Sequence, residues 1–102
     1  YDRCSNQRDS WRLFYFMNIN QLIEDEISSA RVNYGAFNST HEAYAVLLEE
    51  VEELWDIVKK NTERTYGTPE WKTKALIPEL IQISAVAKRI AIELSNKEIK
   101  HV

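Results

Sequence analysis

A chain of 102 residues with 44% hydrophobic and 28% charged residues is long enough for one small domain and too short for two. Two glycines and two prolines exclude a collagen-like or turn-rich chain, and the composition is not that of a disordered one. A formal net charge of −3 lacks the basic footprint of a nucleic-acid binder. No apolar run approaches the roughly 18–20 residues of a membrane helix. The single cysteine, Cys4, has no intrachain partner, so the expected setting is a reducing cytoplasm.

The first segment, Tyr1–Phe16, begins polar and ends apolar (Trp11, Leu13, Phe14, Tyr15, Phe16), the wrong order for a secretory signal. Two readings of it stand side by side. Residues 1–16 are an extension ahead of a natural start at Met17, which leaves one helical domain over 17–102. Alternatively they form an extra helix, capped by Ser10, whose aromatics pack on the bundle. From Ile19 the apolar residues fall at 19, 22, 23, 27, 30 and 34, a helical spacing that Gly35 ends.

Ser39 followed by Glu42 predicts a capping box, each side chain satisfying a backbone donor of the other residue. The helix it opens carries Ala43, Val46, Leu47, Val51, Leu54, Trp55 and Val58 on one broad apolar face, and Lys59 and Lys60 close it. Asn61–Thr68 is polar, contains Gly67 and reads as a loop. Thr68-Pro69-Glu70 has the order of N-cap, first-turn proline and first-turn acid. The helix it begins is expected to reach Ser95, with Pro78 kinking or restarting it. No segment alternates with period two. The predicted fold is all-α, a helical bundle.

Charge is segregated along the chain. His41–Val58 holds six acids (Glu42, Glu49, Glu50, Glu52, Glu53, Asp56) and no base, whereas from Thr62 onward seven bases outnumber five acids. Residues three or four apart share a helix face, so Glu50 and Glu53 neighbour each other and Glu49 neighbours Glu53. Glu79 and Gln82 repeat the i, i+3 spacing on the next helix. Two facing pairs of this kind can surround a hard cation such as Mg²⁺, which takes oxygen ligands. The competing reading is a solvated acidic helix face.

The run from Phe37 to Lys59, with its Ser-x-His-Glu opening, Glu49-Glu50-x-x-Glu53 centre and Leu54-Trp55-Asp56 exit, resembles the first metal helix of the MazG-like nucleotide pyrophosphohydrolases, within the all-α NTP pyrophosphatase superfamily. Glu79-Leu-Ile-Gln82 aligns with the second half of that signature, Glu-x-x-Asp, and the likeness spans about Asn33 to Leu94. It implies a Mg²⁺-dependent (or Mn²⁺-dependent) hydrolysis of an NTP or dNTP to NMP and pyrophosphate. Glu50, Glu53 and Glu79 would be metal ligands, with Gln82 beside them. Glu49 would be the water-activating group, an outer ligand or a ligand to a second metal. Gln82 departs from the pattern, since an amide oxygen coordinates Mg²⁺ without bringing a charge.

Arg89 lies two turns beyond Gln82 and would either meet a phosphate or pair with Glu93 or an acid of the patch. Lys59, with Lys60, Arg64, Lys72 and Lys74, clusters near the loop and would assist the phosphates or simply cap helix ends. Trp55 and Tyr44 would stack on a base or belong to the core. A chain this small is expected to cover its remaining apolar surface as a homodimer or homotetramer. The alternative function is a non-catalytic MazG-like module for assembly or nucleotide binding.

Overall fold

The computed structural model describes residues 10–60 and 69–102, and among these every regular element is a helix: α1 (Ser10–Tyr34), α2 (Thr40–Val58) and α3 (Pro69–Ser95). Cys4, Arg64, the expected loop and its Thr68 cap lie outside the described residues. The helix expected to begin just after Met17 instead starts at Ser10 and passes through Met17 without a break. The helix capped by Ser10 and the helix after Met17 are thus one continuous element. Trp11 donates its indole N–H to Glu70 on α3 at 3.1 Å, while Leu13, Phe14 and Phe16 remain exposed.

The ends of α1 and α2 follow local chemistry. Gly35 adopts φ 68°, and its N–H returns to the Arg31 carbonyl at 3.0 Å, the left-handed cap that glycine accepts without a Cβ penalty. Ser39, extended at φ −155°, accepts the Glu42 N–H at 3.0 Å. The return half of the capping box is displaced by one residue: the Glu42 carboxylate takes the N–H of Asn38 at 2.7 Å. α3 runs from Pro69 to Ser95 through Pro78, so the expected restart does not occur.

α3 ends in a paired reverse turn. Glu98 N–H reaches the Glu93 carbonyl at 2.8 Å and Lys97 N–H reaches that of Leu94 at 3.1 Å. This Schellman pattern needs a left-handed residue after the cap, and here a lysine fills it, Lys97 at φ 57°. The chain then folds back on the start of α2, where Thr40 N–H meets the His101 carbonyl at 2.9 Å.

α3 is the middle helix, packed against α1 and against α2. Ile27 on α1 and Ile81 and Ala85 on α3 are buried. A second cluster, Phe37, Ala43, Val86 and Ile99, is half-covered by Val46, Leu47 and Ile90. It gathers the α1–α2 connection, α2, α3 and the returning tail at one end, and each large apolar side chain buried there contributes about 1.5–3 kcal/mol.

The envelope is only 19 Å through its thinnest direction, about two helix diameters. That thinness decides what α2 buries. Its inward line is Ala43, Val46, Leu47, Glu50, Leu54 and Ile57, all buried or half-buried. Val51, Trp55 and Val58, expected on the core face, instead point outward with Tyr44 and Leu48, and Trp55 is 57% exposed. The broad apolar face is two stripes, and only one finds α3.

Candidate metal centre and adjoining cleft

The inward line of α2 contains one carboxylate, Glu50. On α3 the residues Glu79, Gln82, Val86, Arg89 and Glu93 fall alternately three and four apart, which aligns them along one face. All five are buried or half-buried. Both helices therefore commit interior surface to polar groups, and burial of such groups costs unless each finds a partner.

At the Glu79 end the partners are other acids. Glu50, Glu53 and Glu79 each offer a carboxylate oxygen within 4.8 Å of the others'. Glu79 Oε2 is buried with no hydrogen-bond partner. Burial first, then the charges of Glu53, Glu49 and Glu26, holds the Glu50 carboxyl above its ordinary value. Glu79 is raised by burial, by the charges of Glu53 and Glu50, and by a hydrogen bond with Glu53. Crowded carboxylates, one with an orphaned oxygen, form an all-oxygen donor set of the kind that suits a hard divalent cation.

Gln82 is occupied. Its Nε2 donates to Glu26 Oε2 on α1 at 2.6 Å. Glu26 was not singled out in the sequence, because its helix carries several acids and nothing local marks this one. Gln82, Glu26, Glu49 and Glu50 all line a cleft of about 680 Å³ that extends to the α1–α2 connection. Glu49 itself is exposed at this cleft.

The other end of the α3 stripe is an ion network. Glu93 is fully buried and accepts from Phe37 N–H at 2.9 Å and from Arg89 Nε at 3.0 Å. Arg89 also donates to the Gly35 carbonyl at 2.8 Å and lies 4.0 Å over the Phe37 ring. Arg31 sits 3.6 Å from Glu93 and 2.9 Å from Glu98. Of the two roles open to Arg89, pairing with Glu93 is the one formed, and the guanidinium fixes the connection that floors the cleft.

The remaining expected substrate contacts are not brought to the cleft. Lys59 pairs with Asp56 at 3.3 Å, Lys72 donates to the Val58 carbonyl at 2.7 Å, and neither they nor Trp55 line the cleft. Trp55 and Lys59 belong to the outward side and the end of α2, which the apolar count alone did not separate from its inward side. Among the described helices none is long and apolar enough to cross a membrane. No protein-family model, curated protein or solved structure matches the chain.

Proposed function

We propose that this protein is a nucleoside triphosphate pyrophosphohydrolase of MazG-like type, acting with Mg²⁺ or Mn²⁺ at Glu50, Glu53 and Glu79. One observation carries the reading: three carboxylates from two helices, at the positions of the resemblance, converge within 4.8 Å. The orphaned Glu79 Oε2 supports it, since a cation would supply the partner that oxygen lacks. A bound divalent ion would neutralise phosphate charge and lower the pKa of a water.

The chain's own residues would do the rest. Glu49, exposed at the same cleft, would accept the proton of the water added across the α,β-phosphoanhydride bond, giving NMP and pyrophosphate. Glu26 would hold the Gln82 amide by its N–H group, which leaves the carbonyl oxygen as the end available to the cation or its waters. Arg89 has no phosphate role in this scheme. It keeps the cleft floor in place through Glu93, Gly35 and Phe37.

The outward line Tyr44, Leu48, Val51, Trp55 and Val58 steps by four and three residues, the spacing of a helix–helix seam. A second copy of the chain would cover it, completing a homodimer or a homotetramer. The test of the activity is Mg²⁺-dependent release of pyrophosphate from a panel of NTPs and dNTPs, with Glu50→Gln as control. Release that needs the metal and is lost in the variant supports the reading. No release from any nucleotide, with Mg²⁺ or with Mn²⁺, contradicts it.

A further inference from the structure

Among the described residues no ion pair reaches the Glu26 carboxylate. Lys88 on α3 pairs with Glu24, and Arg31, five residues further along α1, is taken by Glu93 and Glu98. What Glu26 holds instead is the neutral Gln82 amide, at 2.6 Å and with both side chains half-buried. The bond is short even for a charge-assisted N–H···O contact, which runs about 2.7–2.9 Å.

Its place in the fold is specific. Glu26, Ser29 and Gln82 line both the large cleft and a shallower groove of about 380 Å³ between α1 and α3, where Leu22, Pro78 and Ile81 also lie. The Glu26–Gln82 bond thus belongs to the wall the two spaces share. On the cleft side stand Glu49 and Glu50.

An amide has one donor end and one acceptor end in a single plane. Committing Nε2 to Glu26 turns the oxygen away from that carboxylate. Donation to a carboxylate also shifts electron density onto the amide oxygen, because hydrogen bonds in series polarise one another. Outer carboxylates act in this way on metal-ligating side chains, fixing the ligand's orientation and raising its basicity. A neutral residue at position 82 so gains part of the negative character it lacks.

We propose that Glu26 is a positioning residue of the carboxylate centre, orienting and polarising the Gln82 amide so that its oxygen serves with Glu50, Glu53 and Glu79 toward a hard divalent cation. The inference rests on the cation reading of that centre. It adds α1 as a third helix to a site otherwise drawn from α2 and α3.

The test is calorimetric titration of the metal-free protein with Mg²⁺, and separately with Mn²⁺, in wild type, Glu26→Gln, Gln82→Ala and the double variant. Glu26→Gln is isosteric and still accepts from Gln82, so the fold should hold, as helical circular dichroism checks, while the polarising charge is gone. Its affinity for the ion is expected to fall about tenfold, the lower end of what loss of an outer carboxylate costs. In the Gln82→Ala background the same substitution should change affinity by at most about twofold, since the residue it acts through is absent. Asp25→Asn also removes one charge from α1, at a position that bonds Gln21 and lines the groove but not the cleft, and should leave affinity unchanged.

Equal affinity in wild type and Glu26→Gln would overturn the proposal and leave the cation reading standing. An equal fall in both backgrounds, or in Asp25→Asn, would also overturn it, because Glu26 would then act as a charge through space and not through the amide. No binding of either ion to the wild-type chain would remove the cation reading and the proposal together.

Discussion

Replacing Glu93 with glutamine tests the ion network that shapes the cleft floor. The side chain is fully buried and holds the Phe37 N–H and the Arg89 guanidinium at 2.9 and 3.0 Å, with Arg31 a further 3.6 Å contact. An amide can keep the first bond but leaves Arg89 buried without its counter-charge. Breaking a buried pair from one side costs about 3–5 kcal/mol, and the retained bond places Glu93→Gln near the lower bound. Glu93→Ala loses both bonds and should lie at or above the upper one. A domain of this size has a total stability of roughly 5–15 kcal/mol, so either variant should approach the edge of folding. Urea unfolding followed by helical circular dichroism, at unchanged m, gives the difference directly. A loss of less than about 1 kcal/mol, the worth of an exposed ion pair, would refute the reasoning.

Three further outcomes follow from other parts of the molecule. Glu50 and Glu79 have carboxyl groups raised above their ordinary values, so the folded state binds protons more readily than the unfolded chain. Without metal, their contribution is destabilising above the folded pKa and is relieved as pH falls through it toward the unfolded value. Melting curves should therefore show these two groups favouring the folded state more at mildly acidic pH than at neutral pH, and Glu50→Gln with Glu79→Gln should flatten that part of the profile. Lys97→Gly should raise stability by up to about 1 kcal/mol, since glycine occupies φ 57° without the Cβ cost; a denaturant midpoint that falls would contradict it. Light scattering should give a mass of two or four chains, and Trp55→Glu, which puts a charge in the middle of the outward stripe, should shift it toward one; a wild-type monomer at micromolar concentration would contradict the seam.

What was legible in the sequence is what neighbouring residues decide. Gly35, Ser39 and Pro69 mark helix ends because a left-handed cap, a hydroxyl acceptor and a first-turn proline act within a few residues. The i, i+3 spacing placed Glu50 beside Glu53, and the same rule placed Gln82 beside Glu79 on α3. The partners between helices were not legible. Glu26 meets Gln82 across 56 residues and Glu93 meets Phe37 N–H across the same separation, and no local pattern selects them. For Glu93 the i, i+4 spacing gave the pairing with Arg89, whereas its bond to Phe37 N–H had no local signal.

The outward position of Val51, Trp55 and Val58 was not legible for a related reason. Apolar periodicity says which residues share a face, but not which of two adjacent apolar lines meets the neighbouring helix in so thin a layer. A helix from Ser10 was one of the two readings of the first segment, but its unbroken passage through Met17 was not legible, because the apolar spacing that marks α1 begins only at Ile19.

The central claim is that Glu50, Glu53 and Glu79 act together as one cation site, and melting curves with and without Mg²⁺ test it most directly. Ligand that binds only the folded state stabilises it by mass action, so the wild-type chain should melt higher with Mg²⁺. Glu53→Gln should melt higher than wild type without metal, because it relieves repulsion, and should lose most of the Mg²⁺ response. Gln82→Asp, which breaks the bond to Glu26 and adds a carboxylate, should melt lower without metal and respond to Mg²⁺ more strongly than wild type. The same Mg²⁺ response in all three proteins would contradict the claim and leave the acidic cluster as a solvated helix face.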